Sequence, residues 1–523
     1  MSGTTSIARV ARSTAPVVLV IAIAWPALAF GGVYPWAWGT LMVICAAFAA
    51  CAIAGSGWRL DPVLTTCAGL VAAAVSIQLL PLTPAILHAA SPAAARFLEH
   101  QDLGYMLAAA AGTVKHPLSI EPSATWLFLG FFVSMAALFV GVASIRATTS
   151  LRFVPASVTA IGTALALVGI LQAGVTGERM YGVWAPLTHA AVFGPFVNRN
   201  HFATWMLLAL PVAIAQCAAR LASMRREADP GATVVEMLGA PGAGAVLLTG
   251  FACFLMSAAL LMTRSRSGFG GFVVVVAAMI WAQVRHRRSI RTAAPAVVLL
   301  LALAAVTVAW IGWRPLVARL DELPGTRLSG RLDAWSEAAR IARDFWLTGS
   351  GLNTYATAML TYHDPKVFEF FRTPHNDYLQ VLCDGGLLVG LPLGLLLGVL
   401  AVRVVRGSTG SAGVRSFEKW TRYGAAVGVT AVALQELVEF GLQTPANAVL
   451  FTVLVAYASG PRHDPGASSS IEGGGIVEPV SRRLRVRRAG PSENQSGSRC
   501  TVSGENAGRQ TATYSAPPAS GVL

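Results

Sequence analysis

The sequence predicts an all-α protein that crosses a membrane many times, and three observations carry that reading. Of 523 residues, 54% are hydrophobic and only 12% are charged, well below the roughly 25% charged residues of soluble domains. The mean hydropathy is +0.60. Apolar runs of about 20 residues, enough to span a hydrocarbon core about 30 Å thick, recur along the whole chain. These runs are continuous rather than alternating, which excludes a β-barrel.

About twelve transmembrane helices are expected, near 14–32, 36–55, 62–81, 123–144, 153–174, 200–219, 243–263, 267–284, 292–312, 378–402, 423–441 and 443–460. With the N-terminus in the cytoplasm, every short inner connection carries Lys or Arg, and RHRRSIR at 285–291 carries four arginines. That asymmetry fixes the orientation by the positive-inside rule and places the C-terminus inside as well. Cleavage after Ala27-Leu28-Ala29 is the alternative for residues 1–29; retention is favoured because a second span follows at once.

The chain divides into residues 1–190, with an outer loop at 82–122, a second membrane region at 191–460, and a tail at 461–523. The second region contains a long outer loop, 313–377, read as helical. The tail is rich in Ser, Gly, Pro and Arg and contains RRLRVRR at 482–488. It reads as disordered sequence facing anionic lipid. The net charge of +14 is assigned to the same inner surface, and nucleic acid is not an expected partner. Seven cysteines show no CxxC or Cys/His spacing, so neither a disulfide framework nor a zinc site is expected. No P-loop, dinucleotide fingerprint or acidic metal motif is present, and neither metal nor cofactor is expected.

Against this background, TRSRSG at 263–268 stands out. It lies at the outer end of a span, where Arg264 and Arg266 break the charge rule that the short inner loops obey. Charge at membrane depth is costly and generally serves a ligand, a pairing or a pathway, the bland alternative being side chains that snorkel to lipid phosphates. Residues 329–355 read as an amphipathic helix with Leu332, Trp335, Ala339, Ala342 and Trp346 on its apolar side. Ser329 would cap it, Gly349-Ser350-Gly351 would end it, and Asp333, Glu337, Arg340 and Arg343 would face water. Arg331 falls in its first turn, against the helix dipole.

The stretch RTPHNDYLQ at 372–380 then enters the next span. His375 sits at the membrane boundary, where imidazole can act as acid, base or donor. Arg372 and Asn376 flank it as candidate substrate contacts, and Asn376 and Asp377 can cap the following helix. Glu436 and Glu439 are expected at i, i+3 on one helix face, where they can pair with the arginines or act as a base. Guanidinium forks beside a histidine suit a lipid diphosphate.

At these residues the chain resembles the O-antigen ligase superfamily of ligases, O-antigen-type polymerases and bacterial O-oligosaccharyltransferases. The resemblance rests on SRSG at 265–268, GRLDAW at 330–335, GSGLNTY at 349–355, HNDYLQ…DGGLLVG at 375–390 and FVNRNHFA at 196–203. It implies a protein of the bacterial inner membrane that moves a glycan from undecaprenyl diphosphate to an acceptor on the periplasmic face, by inversion and without metal. Carried over, Arg266 and Arg331 resemble the arginines that hold the diphosphate, and His375 resembles the histidine that assists transfer. Arg264 has no counterpart. The acceptor stays open between lipid A core, a growing glycan and a protein serine, with ligase or polymerase favoured. A lipid-linked glycan transporter remains the competing class, although it would place charge near the midplane and show two matching halves.

Overall fold

The computed structural model describes residues 2–59, 61–110, 114–146, 148–175, 179–186, 191–228, 234–287, 327–364, 367, 370–409 and 416–459. Proline opens many of its helices, because a residue with no N–H and a fixed φ costs nothing at the first helical position. Helices α1 (Ser2–Leu28), α2 (Pro35–Ser56), α3 (Pro62–Gln78), α4 (Pro84–Ala90), α5 (Pro92–Gln101), α6 (Leu103–Ala110), α7 (Pro122–Ile145) and α8 (Phe153–Val175) form the first half. The second half holds α9 (Arg199–Glu227), α10 (Val234–Gly239), α11 (Ala243–Met262), α12 (Arg266–Arg287), α13 (Arg327–Asp344), α14 (Tyr355–Tyr362), α15 (Asp377–Thr409), α16 (Ser416–Gln435) and α17 (Pro445–Ser459). Among the described residues there is no β-strand.

Among the described residues, eight helices are long and apolar enough to cross a membrane: α1, α2, α7, α8, α9, α11, α12 and α15. The expected spans at 62–81 and 443–460 appear as the shorter apolar helices α3 and α17. The span expected at 423–441 is shifted toward the N-terminus as α16, whose first turns carry Glu418, Lys419 and Arg422. The span expected near 292–312 and the tail lie outside the described residues.

Helix α9 is the centre of the bundle, with 94% of its apolar window buried. Helix α16 runs antiparallel to it and approaches closely through a Gly-x-x-x-Gly pair. A Cβ on Gly428 would lie 2.8 Å from the Leu208 carbonyl oxygen, and Gly424 faces Pro211 in the same way. Small residues at this spacing let two helix backbones touch where apolar burial alone gives no preference between protein and lipid. The consequence lies one turn further on, where the end of α16 meets the start of α9.

The two long segments outside the spans fold together. Helices α4, α5 and α6 pack with α13 and α14 around Leu87, Phe97, Leu98, Ile341, Phe345 and Tyr355, a core separate from that of the bundle. The sequence-predicted apolar stripe of α13 is displaced. Leu332 and Trp346 are exposed and Ala339 faces outward, whereas Ala334, Ala338, Ile341 and Phe345 are buried. Glu337, expected in water, is buried as well and accepts from the Asp364 backbone N–H at 2.8 Å. Both stripes have helical spacing; the buried one is the one that faces α15, where Cys383 meets Ala338, and α14. The helix begins at Arg327, so Arg331 sits in its second turn, and it ends at Asp344, before the glycines. The side chain of Ser329 lies outside the described residues.

Those glycines have a different task. Helix α15 is broken at Gly386, whose φ is 55°. The segment 346–351 docks on the break: Ser350 N–H donates to Cys383 O at 3.0 Å, Gly351 N–H to Asp384 O at 3.0 Å, and Leu387 N–H to Trp346 O at 2.8 Å. Backbone freed inside a membrane helix must find such partners. Gly349, at φ 69°, presses on the Asp384 carbonyl, leaving no room for a Cβ. Gly349→Ala is therefore expected to destabilise the protein by ~1–3 kcal/mol or more, read as a lower unfolding midpoint in detergent. Gly270→Ala, at a helical position with open space around it, should leave the midpoint unchanged.

Candidate active site

Five pieces of chain converge at one end of the bundle: the start of α9, the α11–α12 turn, α13, the approach to α15, and the segment joining α16 to α17. Asn198 caps α9 by accepting from Asn200 N–H at 2.9 Å. Ser265 caps α12 by accepting from Gly268 N–H at 3.1 Å. Gly268 allows close packing on α9, where an added Cβ would lie 2.8 Å from that of Ala203. This packing brings Ser267 beside Asn200.

The two residues meet at Glu439. Its Oε1 accepts from Arg331 Nη2 at 2.6 Å, from Asn200 Nδ2 at 3.1 Å and from Ser267 Oγ at 3.1 Å. The carboxylate is 1% exposed, whereas the Arg331 side chain remains 31% exposed. Gln435 Nε2 donates to Ser267 Oγ at 3.2 Å, and Thr204 Oγ1 donates to Gln435 Oε1 at 3.0 Å, extending the network into the α9–α16 contact. Glu439 does not share a helix face with Glu436, as the sequence suggested. Helix α16 stops at Gln435, and each carboxylate binds a different partner beyond it. Glu436 Oε2 accepts from Gly441 N–H at 2.6 Å, and the Glu436 carbonyl accepts from Asp377 N–H at 3.1 Å.

His375 stands next to this network in a left-handed backbone conformation, φ 51°. Its ring packs edge-on against Phe440 at 5.0 Å, and Phe440 packs in turn on His201 at 4.8 Å. His375 Nδ1 is buried with no hydrogen-bond partner. Burial, reinforced by the Arg331 charge, pushes its pKa down to about 4, so the imidazole is neutral at physiological pH. His201 is held by Thr444 Oγ1 at 2.6 Å from its Nδ1.

The remaining candidates are placed as follows. Arg266 is half-buried in the first turn of α12, immediately before Ser267. Asn376 caps α15 through Leu379 N–H at 3.0 Å. Arg264, at φ 53°, and Arg372 are exposed. The structure thus unites Arg331, Glu439 and His375, sets Arg266 in the adjoining turn, and gives Asn376 a capping role. Asn200, Ser267, Thr204, Gln435 and Phe440 were missed as site residues. Polar residues in the first turns of the otherwise apolar α9 and α12 were the available signal.

Residues 251–394 match the family model described as O-Antigen ligase. That stretch of the chain is similar to an O-antigen ligase domain. No curated protein matches the chain. The O-antigen ligase match, about a quarter of the chain, takes in Arg264, Arg266, Arg331, Arg372, His375 and Asn376. It leaves out α9 and Glu439, which complete the network around Arg331. The family performs glycosyl transfer of the ligase or polymerase type at a membrane.

A neutral His375 has a consequence for pH dependence. Its folded pKa lies below the ordinary value of about 6.5, so between those values the unfolded chain binds the extra proton. The stability it contributes is complete above pH 6.5 and is lost as pH falls toward 4. The same shift should leave kcat/KM for glycan transfer without a histidine limb near pH 6.5. Phe440→Ala, which admits water to the ring, should create a limb moving toward that value; a wild-type limb at 6.5 would contradict the assignment.

Proposed function

We propose that this protein transfers a glycan from undecaprenyl diphosphate to an acceptor hydroxyl on the periplasmic face of the bacterial inner membrane. The acceptor is lipid A core or a growing surface polysaccharide. The observation that carries the reading is the placement of a partly open Arg331 guanidinium, held by Glu439, near His375, whose buried Nδ1 has no hydrogen-bond partner, with Arg266 in the adjoining turn. The Lys and Arg asymmetry of the short loops supports the orientation, with both termini in the cytoplasm.

In this reading the acceptor oxygen attacks the anomeric carbon as the bond from that carbon to the diphosphate oxygen breaks. The bonding electrons leave with the diphosphate, the anomeric configuration inverts, and the acceptor proton passes to the His375 imidazole. The diphosphate gains charge as it departs, which is where Arg331 and Arg266 act. A single preorganised donor at such a site is worth ~3–4 kcal/mol in comparable oxyanion chemistry. Glu439 holds one edge of Arg331, and the exposed remainder of the fork stays available for phosphate oxygens. No step requires a metal. Arg264 and Arg372, both exposed at this end, are assigned to the outer phosphate or the glycan.

A cavity of about 980 Å³ lies beside the site. Phe128, Phe131, Val389 and Leu393 line it, and Asp377 and Glu436 also contribute to its wall. An apolar space of this kind suits an isoprenoid chain. The protein-serine acceptor remains the alternative activity, and anionic lipid is the proposed partner of the basic tail.

The test is a gel of surface polysaccharide from cells carrying Arg331→Ala, Arg266→Ala or His375→Ala. Each variant should lose mature glycan by at least about 100-fold at unchanged membrane abundance. Normal glycan in all three would overturn the proposal. In the deletion strain, free lipid-linked long chains identify a ligase and single repeats a polymerase.

A further inference from the structure

Five aromatic rings gather around one turn at the site's end of the bundle. Phe30, between α1 and α2, contacts Tyr34, Trp36, Tyr181 and Trp184 at centroid distances of 5.6, 6.1, 5.7 and 5.9 Å. Tyr34 and Trp184 meet at 6.0 Å. Burial does not explain the group, since Trp36, Trp184 and Tyr181 are 52%, 46% and 41% exposed. Phe30 and Tyr181 both hold left-handed backbone conformations, φ 58° and 53°, a cost that ring contact alone would not require.

The cluster differs from an ordinary belt of interfacial aromatics, whose N–H and O–H groups reach lipid headgroups while the rings face the chains. Here two of the polar tips are taken up by the protein itself. Trp184 Nε1 donates to Tyr34 Oη at 3.1 Å, and Tyr181 Oη donates to the Leu28 carbonyl at 2.5 Å. With those two tips bonded within the protein, Trp36, Trp184 and Tyr181 still stay about half-exposed. Tyr181 and Trp184 belong to a connecting segment between α8 and α9, not to a spanning helix. The turn also adjoins the site: a Cβ on Gly31 would lie 3.2 Å from both Thr444 and Phe196, and Thr444 holds His201 behind Phe440.

We infer that this aromatic surface is a binding platform for pyranose rings of the glycan, away from the bond that reacts. Pyranose C–H groups carry partial positive charge and stack on the negative face of an aromatic ring. Such contact needs exposed ring faces, not free ring N–H groups. Stacking would hold the chain in register while the terminal sugar meets Arg331 and His375. The inference rests on the proposed glycan transfer for its ligand class.

The experiment uses the full chain in lipid nanodiscs and, as probe, surface-glycan fragments released from their lipid carrier by mild acid. Binding is read by saturation-transfer NMR, and transfer by KM and kcat for lipid-linked donor. Trp184→Leu and Trp36→Leu keep apolar bulk for a membrane contact and remove the ring face. Each is expected to weaken fragment binding and raise KM about tenfold, with kcat little changed; Trp184→Phe should retain most of the affinity. Unchanged binding and KM in the Leu variants, or fragments that do not bind the wild-type protein, would overturn the platform and return these rings to lipid contact. Transfer that persists in the Leu variants with wild-type KM leaves the proposed function standing. Absence of any transfer by the wild-type chain removes that function itself.

Discussion

A carboxylate buried in an apolar bundle must find donors or give up its charge, and Glu439 finds three, each from a different part of the chain. Arg331 comes from α13, Asn200 from α9 and Ser267 from α12. The interaction therefore ties the folded segment outside the spans to two helices of the bundle at one atom. It also sets the position of the guanidinium on which the proposed chemistry depends. The close α9–α16 and α9–α12 contacts, each made possible by glycine, are what bring those donors within reach.

Burial, with the same arginine in support, sets the character of the neighbouring histidine. Shielded from water and packed on Phe440, His375 stays neutral where a free histidine would begin to protonate. The guanidinium is thus left to face the leaving group while the imidazole stays an uncharged base, the division that leaving-group stabilisation and proton removal require. The left-handed backbone at His375 and the cap at Asn376 hold the ring at the mouth of α15 rather than within it.

Much of the architecture was legible because membrane helices announce themselves by composition. TRSRSG and HND were legible as well, since charge at the end of an apolar run is conspicuous. The less accurate readings share a cause. The stripe on α13 was ambiguous because two sets of residues have helical spacing, and only the packing of α15 and α14 chooses between them. The end of α16 was extended to include Glu436 and Glu439, because nothing local shows that Gly441 N–H and Arg331 will take those carboxylates. Gly349 and Gly386 read as separate motifs, although they are two halves of one contact across a broken helix. Asn200 and Ser267 were indistinct for the same reason: their partner lies more than 170 residues away.

The most direct measurement of the central claim is single-turnover glycan transfer by purified Glu439→Gln in nanodiscs. The substitution keeps an acceptor oxygen of nearly the same shape and removes the charge that fixes Arg331. If that pairing sets the geometry of the leaving group, the rate should fall about 100-fold, as small misplacements of catalytic groups do, while donor KM stays level or drops. A wild-type rate would show that Arg331 reaches its working position without Glu439 and would contradict the account.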